Sequence, residues 1–164
     1  MTYTKSQYAW IGLRLSLGWI FFWAFIDKLF GLGFATKPAG AWLAGGSPTT
    51  GFLSNAVTGP FASIYKAMSG SVVIDVLFMA ALLVIGVTLL TGAALKFGSY
   101  IGALLVFLMW TALLFPANNP VVDDHIVYLF VFLVFASKPE VGKWCGLADK
   151  WAKTKIAKKY ALLR

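Results

Sequence analysis

The chain has 164 residues, 60% of them hydrophobic and 12% charged, with a mean hydropathy of +0.80. A soluble domain is near half apolar and a quarter charged, so the composition excludes a disordered chain, a nucleic-acid-binding domain and an ordinary water-soluble enzyme. The net charge of +8 is concentrated: residues 138–164 carry eight basic side chains against Glu140 and Asp149.

This is the composition of a small integral membrane protein. At about 20 residues per crossing, the length allows about four spans and one substantial loop. The expected fold is all-α: a four-helix transmembrane bundle over residues 1–137, followed by a basic amphipathic cytoplasmic tail over 138–164. The first span covers about 9–30. The segment before it, MTYTKSQYAW, lacks a charged n-region and cleavage site, and the span itself carries Arg14, Asp27 and Lys28. It reads as a retained helix rather than a signal peptide.

The loop over 31–71 is rich in Gly, Ser, Thr and Pro, yet carries Phe34, Trp42, Leu43, Phe52, Leu53, Phe61 and Tyr65. A connection of that length is usually functional or separately folded. Short helices are expected to start at Ser47-Pro48 and near Gly59-Pro60, and to lie on the bundle mouth. Spans two and three, at about 72–95 and 99–115, form a hairpin turning at Lys96, Phe97 and Gly98, with Gly98 as a C-cap. Gly98 and Gly102 form a small-xxx-small pair suited to close helix packing. Residues 116–120, with a proline at each end, lead to a short fourth span at about 121–137. In the tail, Trp144, Leu147 and Trp151 recur at helical spacing among lysines, the pattern of an interfacial helix on anionic lipid.

Lys and Arg placement sets the expected topology. Lys28, Lys37 and Lys66 fall on one side; Lys5, Lys96 and the eight basic tail residues fall on the other. Both termini are therefore expected in the cytoplasm of a prokaryotic plasma membrane, with the long loop outside. This topology brings Asp27, Lys28, Asp75, Asp123, Asp124 and His125 to the outer level, with Trp110, Thr111, Asn118 and Asn119. Ionisable groups inside spans are costly and mark functional sites. Histidine is the side chain that changes charge near neutral pH, and Asp124, His125 and Tyr128 share one helix face. Asp27, Asp75, Asp124 and His125 are the candidate proton-handling residues. Lys28, Arg14, Asp123, Tyr128, Trp23 and Trp42 are candidate ligand contacts. The alternatives are structural: Asp123 or Asp124 caps a helix, and the aromatics of span one form core or lipid-facing surface. Arg14 has no acid at its depth, so it either reaches lipid phosphate or binds a ligand or a partner chain. No metal or flavin motif is present. Cys145 is the sole cysteine, which excludes an intramolecular thiol–disulfide pair.

Several segments resemble the DoxX/DoxD family of small four-helix membrane proteins. They are Arg14-L-S-L-Gly18-Trp19, Asp27-Lys28-Leu29-Phe30-Gly31, Ala41-Trp42 through Gly51-Phe52-Leu53, Gly59-Pro60-Phe61, and Asn119-Pro120-V-V-Asp123-Asp124-His125-I-V-Tyr128, with the tail Lys150-Trp151 to Tyr160 and Arg164. The resemblance implies a subunit similar to the DoxD subunit of a thiosulfate:quinone oxidoreductase. It would pass electrons from a sulfur compound to a membrane quinone with a DoxA-like or other oxidoreductase subunit, in contact with membrane lipids and as a homo-oligomer or alone. The alternative, from another class, is a non-catalytic scaffold or lipid-binding protein whose polar cluster is structural.

Overall fold

A computed structural model describes residues 2–117 and 119–163; Asn118 and Arg164 lie outside the described residues. The fold is all-α, with no strand among the described residues. Helix α1 is Lys5–Phe30. It starts on a capping box in which the Gln7 amide donates to Thr4 Oγ1 and the Thr4 amide donates to Gln7 Oε1, satisfying two orphan donors. It ends at Gly31, whose φ of 67° and amide bond to the Asp27 carbonyl stop the helix. A Cβ there would lie 2.7 Å from Pro38 Cα, so glycine is required for both reasons.

The connection that follows holds two 3-10 turns, Pro38–Gly40 and Trp42–Ala44, then α2 (Thr50–Asn55) and α3 (Ala62–Ala67). Both helices begin two or three residues after the Ser-Pro and Gly-Pro signals. Leu53 and Val57 bury themselves with Ala112, and the Thr58 amide donates to the Ala112 carbonyl at 3.0 Å, which seats this segment on residue 112.

Helices α4 (Val72–Thr91) and α5 (Leu95–Ala112) form the hairpin. The turn lies earlier than the sequence indicates. Gly92, at φ 73°, is the C-cap of α4, and Lys96, Phe97 and Gly98 belong to the first turn of α5. Gly98 has a packing role instead: a Cβ there would overlap the Thr88 side chain of α4. Gly102 likewise makes room for the Phe132 ring. Helix α6 is Asp124–Ser137. Neighbours run antiparallel, so the C-termini of α1 and α5 and the N-termini of α4 and α6 share one end of the molecule, with the long loop. One core joins all four long helices through Phe21, Ile85, Val106, Phe132 and Phe135. Edge-to-face ring pairs tie α1 to α6: Phe21–Phe132 at 5.4 Å and Trp10–Phe135 at 5.9 Å, a favourable aromatic geometry.

Three helices, α1, α4 and α5, are long and apolar enough to cross a membrane; α6 is apolar but has only 14 residues. The tail departs from the expected single interfacial helix. It forms a 3-10 turn (Pro139–Lys143), α7 (Ala148–Trp151), α8 (Lys155–Lys159) and a last 3-10 turn (Ala161–Leu163), leaving Trp144 and Leu147 outside any helix. The break is local. Cys145 sits at φ 50°, and a Cβ at Gly142 or Gly146 would meet backbone oxygens of Gly92 or Gly142 respectively.

Candidate functional site

The charged residues expected inside the membrane level separate into distinct constructions. Arg14 has no exposed surface. Its Nη1 donates to the carbonyls of Leu89 and Leu90, and its Nη2 to those of Trp144 and Cys145, at 3.0 and 3.1 Å. Leu89 and Leu90 are in the last turn of α4, where helix carbonyls lack partners and carry partial negative charge. The Gly92 amide takes the Thr88 carbonyl at 2.8 Å and the Leu147 amide takes the Thr91 carbonyl at 2.7 Å. All four terminal carbonyls of α4 are thereby satisfied. Arg14 thus binds neither an acid nor, through these four donors, a ligand; it caps a helix and ties the tail to it.

At the opposite end, Asp27 is 1% exposed. Its carboxylate accepts from the amides of Phe34, Ala35 and Thr36, at 3.3, 3.0 and 2.8 Å. Asp75, in the first turn of α4, accepts from Ser47 Oγ at 2.9 Å, Thr49 Oγ1 at 2.6 Å and the Thr49 amide at 3.2 Å. Two buried carboxylates therefore pin the two halves of the long loop, with charge-assisted bonds of the stronger kind. Trp23 packs edge-on against Phe34, 5.1 Å between centroids, and Trp42 packs on the main core; both reinforce the same loop.

The third construction is at the start of α6. Asp123 is the N-cap. Its Oδ1 accepts from the amides of His125 and Ile126, and its Oδ2 lies 2.8 Å from His125 Nδ1. The pair is about one-fifth exposed. Asp124, beside it, is exposed, and Tyr128, one turn on, packs half-buried on the core. The preceding turn is stapled by Asn119, whose Oδ1 accepts from the Val121 and Val122 amides, and by Trp110 Nε1, which donates to the Val121 carbonyl at 2.9 Å. Thr111 is bonded to the Tyr65 hydroxyl at 2.6 Å. Asp123, Asp124 and His125 form one wall of a cavity of about 530 Å³, half open to the surface and lined also by Thr58, Leu113, Phe115 and Val122.

A second cavity, also of about 530 Å³, lies between α4 and α5 under α2 and α3. Its lining is apolar, Phe78, Ala81, Ile101 and Leu105 among it, with Lys28 as its one charged residue. Of the candidates named from the sequence, Asp123, Asp124 and His125 line the first cavity and Lys28 the second, whose other walls are mostly ordinary Leu, Ile and Phe. Neither cavity is lined by Asp27, Asp75, Arg14, Trp23, Trp42 or Tyr128. Among the described residues no three His, Cys, Asp or Glu side chains converge as a metal site would need. The expected outer layer is thus a set of separate anchors plus one His–Asp pair.

Comparison with family models, with curated proteins and with solved structures returns no match.

Proposed function

We propose that the chain is a four-helix transmembrane bundle with both termini in the cytoplasm of a prokaryotic cell. On this reading it serves as a DoxX/DoxD-like, quinone-binding subunit of a membrane oxidoreductase. The observation that carries the reading is the His125–Asp123 pair on the wall of a cavity whose remaining lining is largely apolar. Cavities of 300–1,000 Å³, mostly apolar with a few convergent polar groups, are the usual form of a small-molecule site. A bound quinone supplies two-electron, two-proton chemistry. The chain's part is to hold it and to move protons. Asp123 fixes one nitrogen of the His125 ring, leaving the other to exchange a proton with a ligand hydroxyl, and exposed Asp124 leads to solvent. Asp27 and Asp75 are assigned to the loop rather than to protons, because both oxygens of Asp27 and Oδ1 of Asp75 already accept backbone and hydroxyl bonds. With one cysteine, the chain forms no thiol pair of its own, so electrons reach the quinone from a DoxA-like or other partner that oxidises a sulfur compound.

The membrane placement draws support from Arg14 and Tyr3. Both bind residues 144–145, just beyond α6, so the chain returns to the side on which α1 began. Helix α6 is about 21 Å long at 1.5 Å per residue, short of a hydrocarbon core of about 30 Å. Local thinning of the bilayer meets such a mismatch at modest cost.

A scaffold reading is favoured by a different observation: Arg14, Asp27 and Asp75 are all committed to holding the fold. Quinone extraction separates the two. Protein purified in mild detergent is expected to carry quinone that His125→Ala and Asp124→Asn lose with helix content intact. Unchanged quinone in both variants overturns the site, and wild-type protein without quinone favours the scaffold. Thiosulfate-dependent quinone reduction with co-purifying partners tests the enzymatic part.

A further inference from the structure

We propose that the cavity between α4 and α5 holds one acyl chain of an anionic phospholipid, with the lipid phosphate on Lys28. The inference rests on the membrane placement above but not on the quinone site. Lys28 is half-buried in the last turn of α1 and has no hydrogen bond or ion pair among the described residues. Its sequence neighbour Asp27 is spent on three loop amides, and Asp75 is spent on Ser47 and Thr49. The only ion pairs among the described residues are His125–Asp123 and the exposed Lys143–Asp149. An ammonium in an apolar wall without a counter-charge is unfavourable unless an anion comes to it.

The geometry suits a lipid. Lys28, Thr49 and Tyr65 mark the loop end of the cavity, and Ala81 and Ile101 its far end. Ala81 lies about 14 Å inside α4, and Ile101 about 16 Å inside α5, at 1.5 Å per residue. That is about half of a 30 Å hydrocarbon core, the depth of one leaflet. The head of a lipid seated in this leaflet meets Lys28 where the helices leave the hydrocarbon, and one of its chains runs down the groove along Phe78, Ala81 and Leu105.

The test uses the full chain in vesicles of equal phosphatidylglycerol and phosphatidylcholine, extraction in mild detergent, and native mass spectrometry of the retained lipid. Wild type is expected to retain phosphatidylglycerol over phosphatidylcholine by roughly fivefold, the scale of one lysine–anionic lipid interaction. Lys28→Met brings the two lipids to parity, with Lys28→Gln taking its place should the methionine variant not fold. Lys28→Arg keeps the preference, and Ala81→Phe, which fills the groove, loses both lipids. Every variant keeps the basic tail, and lipid held by the exposed tail alone is removed before counting by a high-salt wash, which screens surface charges far more than a half-buried one. Parity in the wild type, a preference that survives loss of the Lys28 charge, or a free fatty acid in place of phospholipid overturns the proposal. His125→Ala is expected to retain lipid as the wild type does while losing quinone, so failure at one cavity is read separately from failure at the other.

Discussion

Arg14 is a charge whose partners are all main-chain. Four carbonyls from two segments, Leu89 and Leu90 in α4 and Trp144 and Cys145 in the tail, converge on one planar guanidinium. The fork of an arginine fits this arrangement and the single point of a lysine does not. Arg14→Met leaves these carbonyls without their donor, and hydrogen bonds to a charged group contribute about 1.5–3 kcal/mol each. A loss near 3 kcal/mol is expected, read as a lower unfolding temperature in detergent, together with faster proteolysis within 144–163. Arg14→Lys is expected to fall between, since an ammonium cannot span both pairs. Equal protease resistance in wild type and Arg14→Met would show that the clamp does not hold the tail. The sequence marked Arg14 as a charge inside a span with no acid at its depth, to be met by lipid phosphate, a ligand or a partner chain. It could not name the partners, because backbone carbonyls are the same at every residue and only the fold decides which are left unpaired. Asp123 was more legible: an aspartate ahead of an apolar run is a local N-cap signal, and its bond to His125 follows from two residues of separation.

At the scale of elements, the long loop is held at two points by side chains of the helices it connects. Asp27, from the end of α1, organises Phe34–Thr36, and Asp75, from the start of α4, organises Ser47–Thr49. Asn at 27 keeps one acceptor oxygen and turns an NH2 group toward a donor, so at least one bond is lost; Asp75 accepts all three of its bonds on Oδ1, so Ala is the substitution that removes them. Asp27→Asn is expected to raise amide exchange within 34–36 about tenfold, the effect of one hydrogen bond of about 1.4 kcal/mol. Exchange at Thr49 should stay unchanged; Asp75→Ala reverses the pattern. Exchange that rises at both places in either variant would mean the loop opens as one unit rather than on two anchors. The sequence put both carboxylates at this level but grouped them into one polar cluster. Shared depth gives no information about azimuth around the bundle. The misplaced hairpin has a similar origin: Gly92 and Gly98 are both plausible stops, and the contact between Gly98 and Thr88, a tertiary fact, makes Gly92 the turn. In the tail, helical spacing of Trp144, Leu147 and Trp151 lost to the close approach of Gly142 and Gly92 and to bonds drawn by Arg14 and Thr91.

The whole molecule poses a question of sidedness, and Cys145 is placed to answer it. It is the sole cysteine and its thiol side chain is exposed. It lies in the segment that Arg14 and Tyr3 bind to the N-terminal end of α1. The tail's charge argues for the cytoplasmic side, where anionic lipid attracts lysine, and the contacts to α1 require the N-terminus to be there too. A membrane-impermeant maleimide is therefore expected to leave Cys145 unlabelled in intact cells and to label it in inside-out vesicles. In a Cys145→Ser background, a cysteine placed at exposed Gly51 of the long loop should give the opposite result. That position has open space for a side chain. Labelling of both positions from one side would mean that α1 and α4 do not cross the bilayer as a pair, and both cavity assignments would then lose their membrane depth. Labelling from opposite faces would place the His125–Asp123 pair and Lys28 at the outer level together, on either side of the Leu53–Val57–Ala112 contact that divides the two cavities. A polar exchange site and a lipid-facing groove would then share one loop as their common wall.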